Sequence, residues 1–393
     1  MNSGIVFLVL AYVLSQFYRA FLAVMAPELG VDIGATPADL ANASGMWFLA
    51  FAGMQIPIGE ALDRIGPRIT ASVLFAIGGA GGAAVFAMAV EPWHVTMGMA
   101  MIGVGCSPVL MASYYIFARS YAPAVFATLA GVTLGIGTIG NIASALPLTL
   151  AVEAFGWRGT MWVLAAVTLG VAIFAGVFVR DPAKVAGSNK GSVLDLLKLP
   201  VMWPILIMMM VNYVPAAGLR GLWAGPYLDE VFGSNVATIG VVTLVMSIAM
   251  VAGNFIFGPM DRFIPSRKAI ILGGNIAGLI SVALLVVFAG SSVVVSTILL
   301  SAVGICGATF VVIIAHAKSF FPEHLTGRGV TLLNLFGMGG AGLFQSLSGR
   351  LYAGVSPNVE PVMAYQILFA FFGAAVFVGI IAYLFSRDAR NEG

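Results

Sequence analysis

The stretch Tyr-Arg-Ala-Phe-Leu-Ala-Val-Met-Ala-Pro-Glu, residues 18–28, places an arginine deep inside the first long apolar run of the chain. If this run enters a membrane as a helix near Gly4, Arg19 lies about 22 Å along it at 1.5 Å per residue. That depth is past the middle of a hydrocarbon core about 30 Å thick, where an ionised side chain is costly unless it faces a bundle interior or a water-filled cavity. The stretch therefore predicts a membrane helix that turns a permanent cation towards the inside of the protein.

The same feature returns in the second half of the chain. Arg220 lies 201 residues after Arg19, in the segment Gly-Leu-Arg-Gly-Leu-Trp-Ala-Gly-Pro-Tyr-Leu-Asp at 218–229. An acid follows each arginine by nine positions, Glu28 in the first half and Asp229 in the second. Nine positions separate two side chains by half a turn and about 13.5 Å on a helix, so neither acid is a good local partner. We therefore expect two related halves that each present one arginine to a common central site.

The composition indicates a membrane protein. Of the 393 residues, 60% are hydrophobic and 9% are charged, whereas typical soluble domains carry about 25% charged residues. Twelve apolar segments can be recognised, near 4–28, 39–62, 67–90, 94–118, 124–150, 157–180, 201–228, 236–260, 267–290, 293–317, 327–352 and 362–386. They predict an all-α membrane protein with 12 transmembrane helices in two six-helix, pseudo-symmetric bundles.

The most polar stretch, residues 181–200, divides these segments into six and six. We predict an N-terminal six-helix bundle over 1–180, a cytoplasmic linker over 181–200 and a C-terminal six-helix bundle over 201–393. Most lysines and arginines fall in the connections that share a side with both termini, whereas Arg158 and Arg350 fall on the opposite side. The positive-inside rule then predicts a multi-pass protein of the cell's inner (plasma) membrane, with both termini in the cytoplasm.

Other kinds of site find no support in the sequence. Cys106 and Cys306 lie in apolar runs without ligand spacing, so we interpret them as buried packing residues and expect no disulfide, metal or cofactor. The chain has no basic and aromatic motif for nucleic acid and no nucleotide-binding motif that would make ATP the energy source. We expect a monomer in a lipid bilayer whose partner is a small anionic substrate.

A charged loop, Gly-Glu-Ala-Leu-Asp-Arg-Ile-Gly-Pro-Arg at 59–68, follows the second apolar segment, and a degenerate copy follows the eighth. Through this loop and the repeat of six segments, the chain resembles the major facilitator superfamily of secondary transporters. The resemblance implies that Asp63 lies at the N-terminus of a neighbouring helix, where a carboxylate is favoured, and forms a clasp that closes the cytoplasmic side. The gating residues implied in this way are Gly59, Asp63, Arg64 and Arg68, together with Asp261 and Arg262 in the second copy.

The two arginines bear on the substrate class. None of the 16 acids falls in the middle of a predicted helix, so Arg19 and Arg220 lack a membrane-embedded counter-charge. A bound carboxylate or phosphate ester would supply one, because its oxygens match the guanidinium fork; a purely structural pair of arginines is the alternative. Short motifs around both residues also resemble helices 1 and 7 of the organophosphate:phosphate antiporters, in which an arginine from each helix holds phosphate.

Polar and aromatic side chains inside the apolar segments are candidates for completing the substrate site: Tyr18, Trp47, Gln55, Tyr114, Tyr115, Asn141, Tyr213, Trp223, Asn334 and Gln345. Tyr18 and Trp223 are favoured because they are close to the arginines in sequence. His316, in the tenth segment, is a candidate proton carrier. Its place near the end of that segment favours a structural role instead.

These patterns together predict secondary active transport of a small organic anion by alternating access, and no enzymatic activity. Antiport and proton symport both stay open, although the lack of mid-membrane acids favours exchange. One alternative is a multidrug or cation exporter of the same fold, which would need membrane-embedded acids. The other is a non-transporting membrane receptor, which more often carries an added soluble domain.

Overall fold

The structure is a computed structural model that describes residues 3–121, 123–182, 193–260, 263–321 and 326–388. In these ranges the regular secondary structure is helical, without a β-strand. The chain folds into two compact units, Met1–Ser188 and Asn189–Gly393. The exact extent of the predicted linker stays a prediction, because its centre lies outside the described residues.

In the N-terminal unit, most of the predicted spans are built from more than one helix. The helices are α1 (Ser3–Phe17), α2 (Leu22–Ile33), α3 (Pro37–Gly53), α4 (Gln55–Arg64), α5 (Pro67–Leu74), a π-helical turn (Phe75–Ala80), α6 (Gly81–Ala87), α7 (Pro92–Cys106), α8 (Val109–Ser120), α9 (Pro123–Ala143) and α10 (Leu146–Phe178).

The C-terminal unit is also helical throughout its described residues. Its helices are α11 (Val193–Leu197), α12 (Met202–Asn212), α13 (Val214–Gly218), a π-helical turn (Leu219–Trp223), α14 (Ala224–Phe232), α15 (Val236–Phe257), α16 (Arg267–Phe288), α17 (Val293–Gly307), α18 (Phe310–Lys318), α19 (Thr326–Val355), a 3₁₀ turn (Ser356–Asn358) and α20 (Pro361–Leu384).

Each of the twelve predicted apolar segments is helical, but several are not continuous. Among the described residues, nine helices are long and apolar enough to cross a membrane, and α1 and α2 make a tenth span as a pair bent by 55°. The second predicted span is divided between α3 and α4 at Met54. Inside α10, Gly156 has a φ of 69° and separates two helical parts, a conformation that favours glycine.

Local features repeat between the units, as the sequence repeat predicts. Gly34 ends α2 and Gly233 ends α14, both in the left-handed conformation that commonly ends helices. The helix breaks also correspond, since α7 gives way to α8 around Ser107 and α17 gives way to α18 around Ala308. These pairs are 199 and 201 residues apart in the sequence, so the repeat extends to the irregular parts of the helices.

Glycine packs closely against the helix that begins the first predicted span of each unit, α1 and α12. A Cβ atom on Gly140 of α9 would lie 1.9 Å from the carbonyl oxygen of Val13 in α1. In the C-terminal unit, a Cβ atom on Gly340 of α19 would lie 1.9 Å from the carbonyl oxygen of Met210 in α12. Only glycine permits such close backbone approach, which is how helices pack tightly in lipid. The segments that carry Arg19 and Arg220 are therefore preceded by tightly fixed helices.

Candidate functional site

Arg19 lies in the break between α1 and α2 rather than on the side of a continuous helix, which corrects the expectation from sequence. Residues 18–21 form a turn between the two helices. Within this turn the backbone N–H of Ala20 donates to the carbonyl oxygen of Phe17 at 3.1 Å. Arg19 as a whole residue is partly exposed, although its Nε atom is buried.

Two aromatic rings of α3 lie beside the Arg19 guanidinium. Its Cζ atom is 5.3 Å from the ring centroid of Trp47 and 5.2 Å from that of Phe51. The two rings stack on each other with centroids 5.1 Å apart and planes 17° from parallel. We call Trp47 and Phe51 the aromatic bed. Both distances are in the range of cation–π attraction.

Among the residues that the structure describes, no carboxylate pairs with Arg19. Within the described ranges, its side chain forms no hydrogen bond or ion pair, and its Nε atom is buried without an acceptor. Glu28 is exposed near the end of α2, as the nine-residue spacing led us to expect. Arg158, by contrast, pairs with Asp32 at 2.8 Å. Arg19 is thus a cation held by aromatic faces and not neutralised by a neighbouring acid of the described chain.

Arg220 has different surroundings. It lies in the π-helical turn Leu219–Trp223 and is only 2% exposed. Its Nη1 atom donates to the hydroxyl oxygen of Ser247 in α15 at 3.3 Å, and that hydroxyl donates to the carbonyl oxygen of Thr243. Asp229 is exposed near the end of α14. The second arginine is therefore more deeply buried than the first and is hydrogen-bonded by a neutral side chain.

The residues that contact the arginines follow them at nearly the same distance in the two units. Trp47 follows Arg19 by 28 positions, and Ser247 follows Arg220 by 27. In each unit, the second predicted span therefore supports the arginine of the first predicted span. The two supports differ chemically, because one is an aromatic face and the other is a hydroxyl group.

Tyr18 and Trp223 lie in the packed interiors of their own units. The Tyr18 hydroxyl is 2.9 Å from the Thr168 hydroxyl, and its ring packs edge-on against Phe21. The Trp223 indole N–H donates to the Ser348 hydroxyl at 2.9 Å. Both side chains are fully buried. Their polar atoms already have protein partners, so this geometry favours packing behind the arginines over direct contact with a substrate.

Three further candidates are partly buried: Tyr114 in α8, Asn141 in α9 and Asn334 in α19. The Tyr114 ring packs against Phe126 with a centroid distance of 5.9 Å. The carbonyl oxygen of Asn141 accepts a hydrogen bond from the Ser144 hydroxyl at 2.9 Å. Their roles in substrate binding stay predictions.

The charged loop makes one ion pair with α8 and one within itself. Asp63 accepts a hydrogen bond from Arg119 at 3.2 Å, and Arg64 pairs with Glu60 at 2.6 Å on the surface. Gly59 has open space around its Cα. The proposed clasp stays a prediction. The second copy cannot be compared, because Asp261 and Arg262 lie outside the described residues.

Asp181 is the acid that caps α5 in this unit. Its Oδ1 atom accepts the backbone N–H of Arg68 at 2.8 Å. Gly66 precedes α5 with a φ of 107°, and a Cβ there would lie 2.9 Å from the Asp181 carboxyl group. A carboxylate at a helix N-terminus is favourable because the first N–H groups of the helix lack partners. Asp181 thereby fixes the loop that contains Arg68.

His316 has protein partners on both ring nitrogens. It is fully buried in α18. Nδ1 is 2.5 Å from the hydroxyl of Tyr383, and Nε2 is 3.0 Å from the carbonyl oxygen of Arg387. Since a carbonyl only accepts, Nε2 donates to it and Nδ1 accepts from the tyrosine. This arrangement joins α18 to the end of α20 and favours the structural role; proton carriage stays untested.

Sequence reasoning named Trp47 only as one of several pocket candidates, and it missed Phe51 and the cap by Asp181. Trp47 and Phe51 are four residues apart, which places both rings on one face of α3. That spacing was the available signal, but it is equally typical of core packing. Asp181 gave no signal, because it is 113 positions from Arg68.

A model of the major facilitator superfamily matches residues 8–219 and 205–393, which together span nearly the whole chain. The chain belongs to the major facilitator superfamily. It is therefore a multi-pass membrane protein of a transporter family, as the sequence resemblance predicted. The two overlapping matches also correspond to the two halves of the chain.

Curated relatives carry the names of small-anion transporters. The gentisate transporter of Corynebacterium glutamicum is 29% identical over 366 residues, covering 85% of this chain and 76% of that protein. The probable sulfoacetate transporter SauU of Cupriavidus necator is 26% identical over 407 residues, covering 96% of this chain and 91% of that protein.

Solved structures of transporters share the fold. A bacterial homologue of the human lysosomal transporter Spinster, in an inward-facing and occupied conformation, matches with a TM-score of 0.73 at 18% identity. The match covers 97% of this chain and 96% of that chain. A mutant of the nucleoside transporter NupG matches with a TM-score of 0.78 at 14% identity, covering 98% and 99%. These likenesses confirm the all-α fold with two six-helix bundles.

Proposed function

We propose that this protein is a secondary active transporter that moves a small organic anion, a carboxylate or a phosphate ester, across the membrane by alternating access. The observation that carries the proposal is the position of Arg19, a partly exposed residue in the break between α1 and α2. Its neighbours are the rings of Trp47 and Phe51, and it has no carboxylate partner among the described residues.

The physical argument rests on the cost of a charge in a membrane. A permanent cation inside a membrane span is costly and marks a site that binds or relays charge. Aromatic faces offset only about 0.5–2 kcal/mol of that cost. An anion would offset more, because charge-assisted and bidentate hydrogen bonds are roughly twice as strong as neutral ones. Arg19 is therefore better matched to a bound anion than to any neighbour it has in the described structure.

The names of the relatives support the same substrate class. Gentisate and sulfoacetate are both small organic anions that carry a carboxylate. We propose that Arg220 supplies a second cation for the substrate, while Tyr18 and Trp223 act from behind the arginines by packing. Tyr114, Asn141 and Asn334 are the proposed polar contacts, and the loop with Asp63 is the proposed cytoplasmic gate of a plasma-membrane protein.

Transport by purified protein in proteoliposomes tests this proposal. Uptake of radiolabelled gentisate and of radiolabelled sulfoacetate is measured in vesicles with and without the same unlabelled anion inside. We expect uptake above that of protein-free vesicles for at least one anion. Stimulation by the internal anion would indicate exchange, whereas stimulation by an inward proton gradient would indicate symport.

The variant Arg19→Gln should lower uptake at least about tenfold, equivalent to about 1.4 kcal/mol. Arg350→Gln is the matched control, because it removes an exposed arginine to which no role is assigned. A transport rate in Arg19→Gln equal to that of the parent protein would contradict the site. Arg220→Gln, alone and combined with Arg19→Gln, shows whether the two arginines act on one anion, since a shared ligand makes their effects non-additive.

A further inference from the structure

We propose that Trp47 is a positioning residue for the anion site of the N-terminal unit, and that its indole face holds the Arg19 guanidinium in place while the site is empty. This inference rests on the proposed function, because it names how one anion ligand of that function is kept ready. Phe51 completes the aromatic bed but is secondary to Trp47, because tryptophan gives the strongest cation–π attraction.

An aromatic ring is a suitable support for an arginine that must both bind and release an anion. A ring face attracts the guanidinium through the charge distribution of the ring and takes none of its N–H donors as a hydrogen-bond acceptor would. A carboxylate neighbour would instead occupy those donors and compete with the substrate. With Trp47 as its support, Arg19 keeps its fork of donors for an incoming anion and still has a partner after the anion has left.

Trp47 is itself fixed tightly enough to position another side chain. It is fully buried, stacks on Phe51, and packs edge-on against Phe48 with centroids 5.0 Å apart. A Cβ atom on Gly103 of α7 would lie 2.3 Å from the carbonyl oxygen of Trp47. Glycine at this point lets α7 press directly on the backbone of Trp47. The indole therefore has little freedom to move away from Arg19.

The indole N–H of Trp47 does not explain why tryptophan occupies this position. The Trp47 Nε1 atom is buried and has no hydrogen-bond acceptor among the residues that the structure describes. An unsatisfied buried donor is unfavourable, so packing alone would be served better by phenylalanine. The large π face beside Arg19 is a physical reason for tryptophan at this position.

In the C-terminal unit the second predicted span also contacts the arginine of the first predicted span. Ser247, 200 residues after Trp47, has no aromatic ring. Its hydroxyl oxygen accepts a hydrogen bond from Arg220 at 3.3 Å. A residue at nearly the same distance after the arginine, 28 positions in one unit and 27 in the other, thus contacts it in both units. In the second unit the support takes up one N–H donor of the arginine, whereas in the first unit it takes none.

A double-mutant cycle tests whether Trp47 acts through Arg19. Trp47→Leu and Trp47→Phe are made in the parent protein and in the Arg19→Gln variant. Binding of gentisate is measured by calorimetry, and thermal unfolding is measured without any added anion. Phe117→Leu is the control, because Phe117 is a fully buried aromatic residue of α8 with no ring contact to Arg19.

We expect Trp47→Leu to weaken gentisate binding about threefold to tenfold in the parent background and to have no effect on residual binding in Arg19→Gln. Without anion, Trp47→Leu should lower the melting temperature by about 2 °C more in the parent background than in Arg19→Gln. Trp47→Phe retains a ring face and removes the unsatisfied N–H, so it should rescue most of both effects. Phe117→Leu should lower the melting temperature equally in both backgrounds.

Equal effects of Trp47→Leu in both backgrounds would overturn the inference and leave Trp47 as a packing residue. If Arg19→Gln itself left gentisate binding unchanged, the anion site of the proposed function would fail. The difference between the effects of Trp47→Leu on the melting temperature in the two backgrounds, measured without anion, would then still decide whether Trp47 holds Arg19. The same measurement decides the inference if gentisate does not bind the parent protein.

Discussion

At the scale of single residues, the two arginines lie at corresponding positions of the sequence repeat but have different surroundings. Arg19 is partly exposed against two rings, whereas Arg220 is 2% exposed and hydrogen-bonded to Ser247. Both are contacted by the following predicted span at nearly the same sequence distance. The repeat places one arginine in each unit, and the contact that supports it differs: two ring faces beside Arg19 and a hydroxyl group beside Arg220.

Gly66 is the residue whose replacement should affect the charged loop most directly. Its φ of 107° favours glycine, and a Cβ there would meet the Asp181 carboxyl group at 2.9 Å. We therefore expect Gly66→Ala to destabilise the protein by about 1–3 kcal/mol, the usual cost of such a backbone position. Thermal unfolding of the detergent-purified protein measures this loss.

Gly53→Ala is the control for this prediction. Gly53 is the last residue of α3, has no strained φ, and has nothing within 4 Å of the position of a Cβ. Alanine there should leave the melting temperature unchanged or raise it slightly, because glycine is unfavourable in helices. Equal melting temperatures for Gly66→Ala and Gly53→Ala would show that the contact with Asp181 has no energetic weight.

At the scale of helices, close packing by glycine decides where the functional side chains are placed. α9 contacts α1 through Gly140, and α7 contacts α3 through Gly103. The first contact fixes the helix that precedes Arg19, and the second fixes the helix that carries Trp47. The aromatic bed and the guanidinium therefore meet because two separate helix pairs are each packed backbone to backbone.

Substitution of Gly140 should consequently affect both stability and transport. Its Cβ would lie 1.9 Å from the Val13 carbonyl oxygen, so alanine must push α9 and α1 apart. Overpacking of this kind costs about 1–3 kcal/mol, and we expect a lower melting temperature together with reduced gentisate uptake in proteoliposomes. Gly131→Ala in the same helix, where a Cβ would meet nothing within 4 Å, should change neither. A Gly140→Ala protein as stable as the Gly131→Ala protein would show that α9 packs differently.

At the scale of the whole molecule, the chain is two compact units whose features correspond at intervals of about 200 residues. Left-handed glycines end α2 and α14, and the fourth and tenth predicted spans break at corresponding positions. In the proposed function, alternating access opens the substrate site to each side of the membrane in turn. The loop with Asp63 is the proposed cytoplasmic gate.

The gate is tested by Asp63→Asn. If the carboxylate makes a contact only when the cytoplasmic side is closed, its removal should shift the population towards inward-open states. The measurement is the rate of thiol labelling of a cysteine introduced into the predicted cytoplasmic cavity, with Cys106 and Cys306 replaced by serine. Faster labelling than in the parent protein is expected.

Glu60→Gln is the matched control for the gate, because Glu60 is an exposed acid of the same loop that pairs with its neighbour Arg64. Its labelling rate should equal that of the parent protein. Labelling that is no faster in Asp63→Asn than in Glu60→Gln would remove Asp63 from the gate and leave its ion pair with Arg119 as a local support of the loop.

The sequence by itself determined the class of the protein, its division into two related halves and the placement of one arginine in each. Hydrophobicity is a property of each residue that sums along a segment, so long apolar runs specify membrane helices without knowledge of their neighbours. The lack of acids near Arg19 and Arg220 in the sequence was equally readable. The repeat, the charged loop and the family could therefore be predicted before any helix was placed.

Only the tertiary structure decided what each charged group touches. The partners of Arg19 are 28 and 32 positions away in α3, and the cap of Arg68 comes from the far end of the unit. The bend between α1 and α2 was also invisible, since an apolar run does not show where it turns. Such contacts depend on which faces of two helices meet, and that is set by the packing of many small residues at once. For this reason the sequence predicted a cation in the membrane but did not predict which aromatic rings lie beside it.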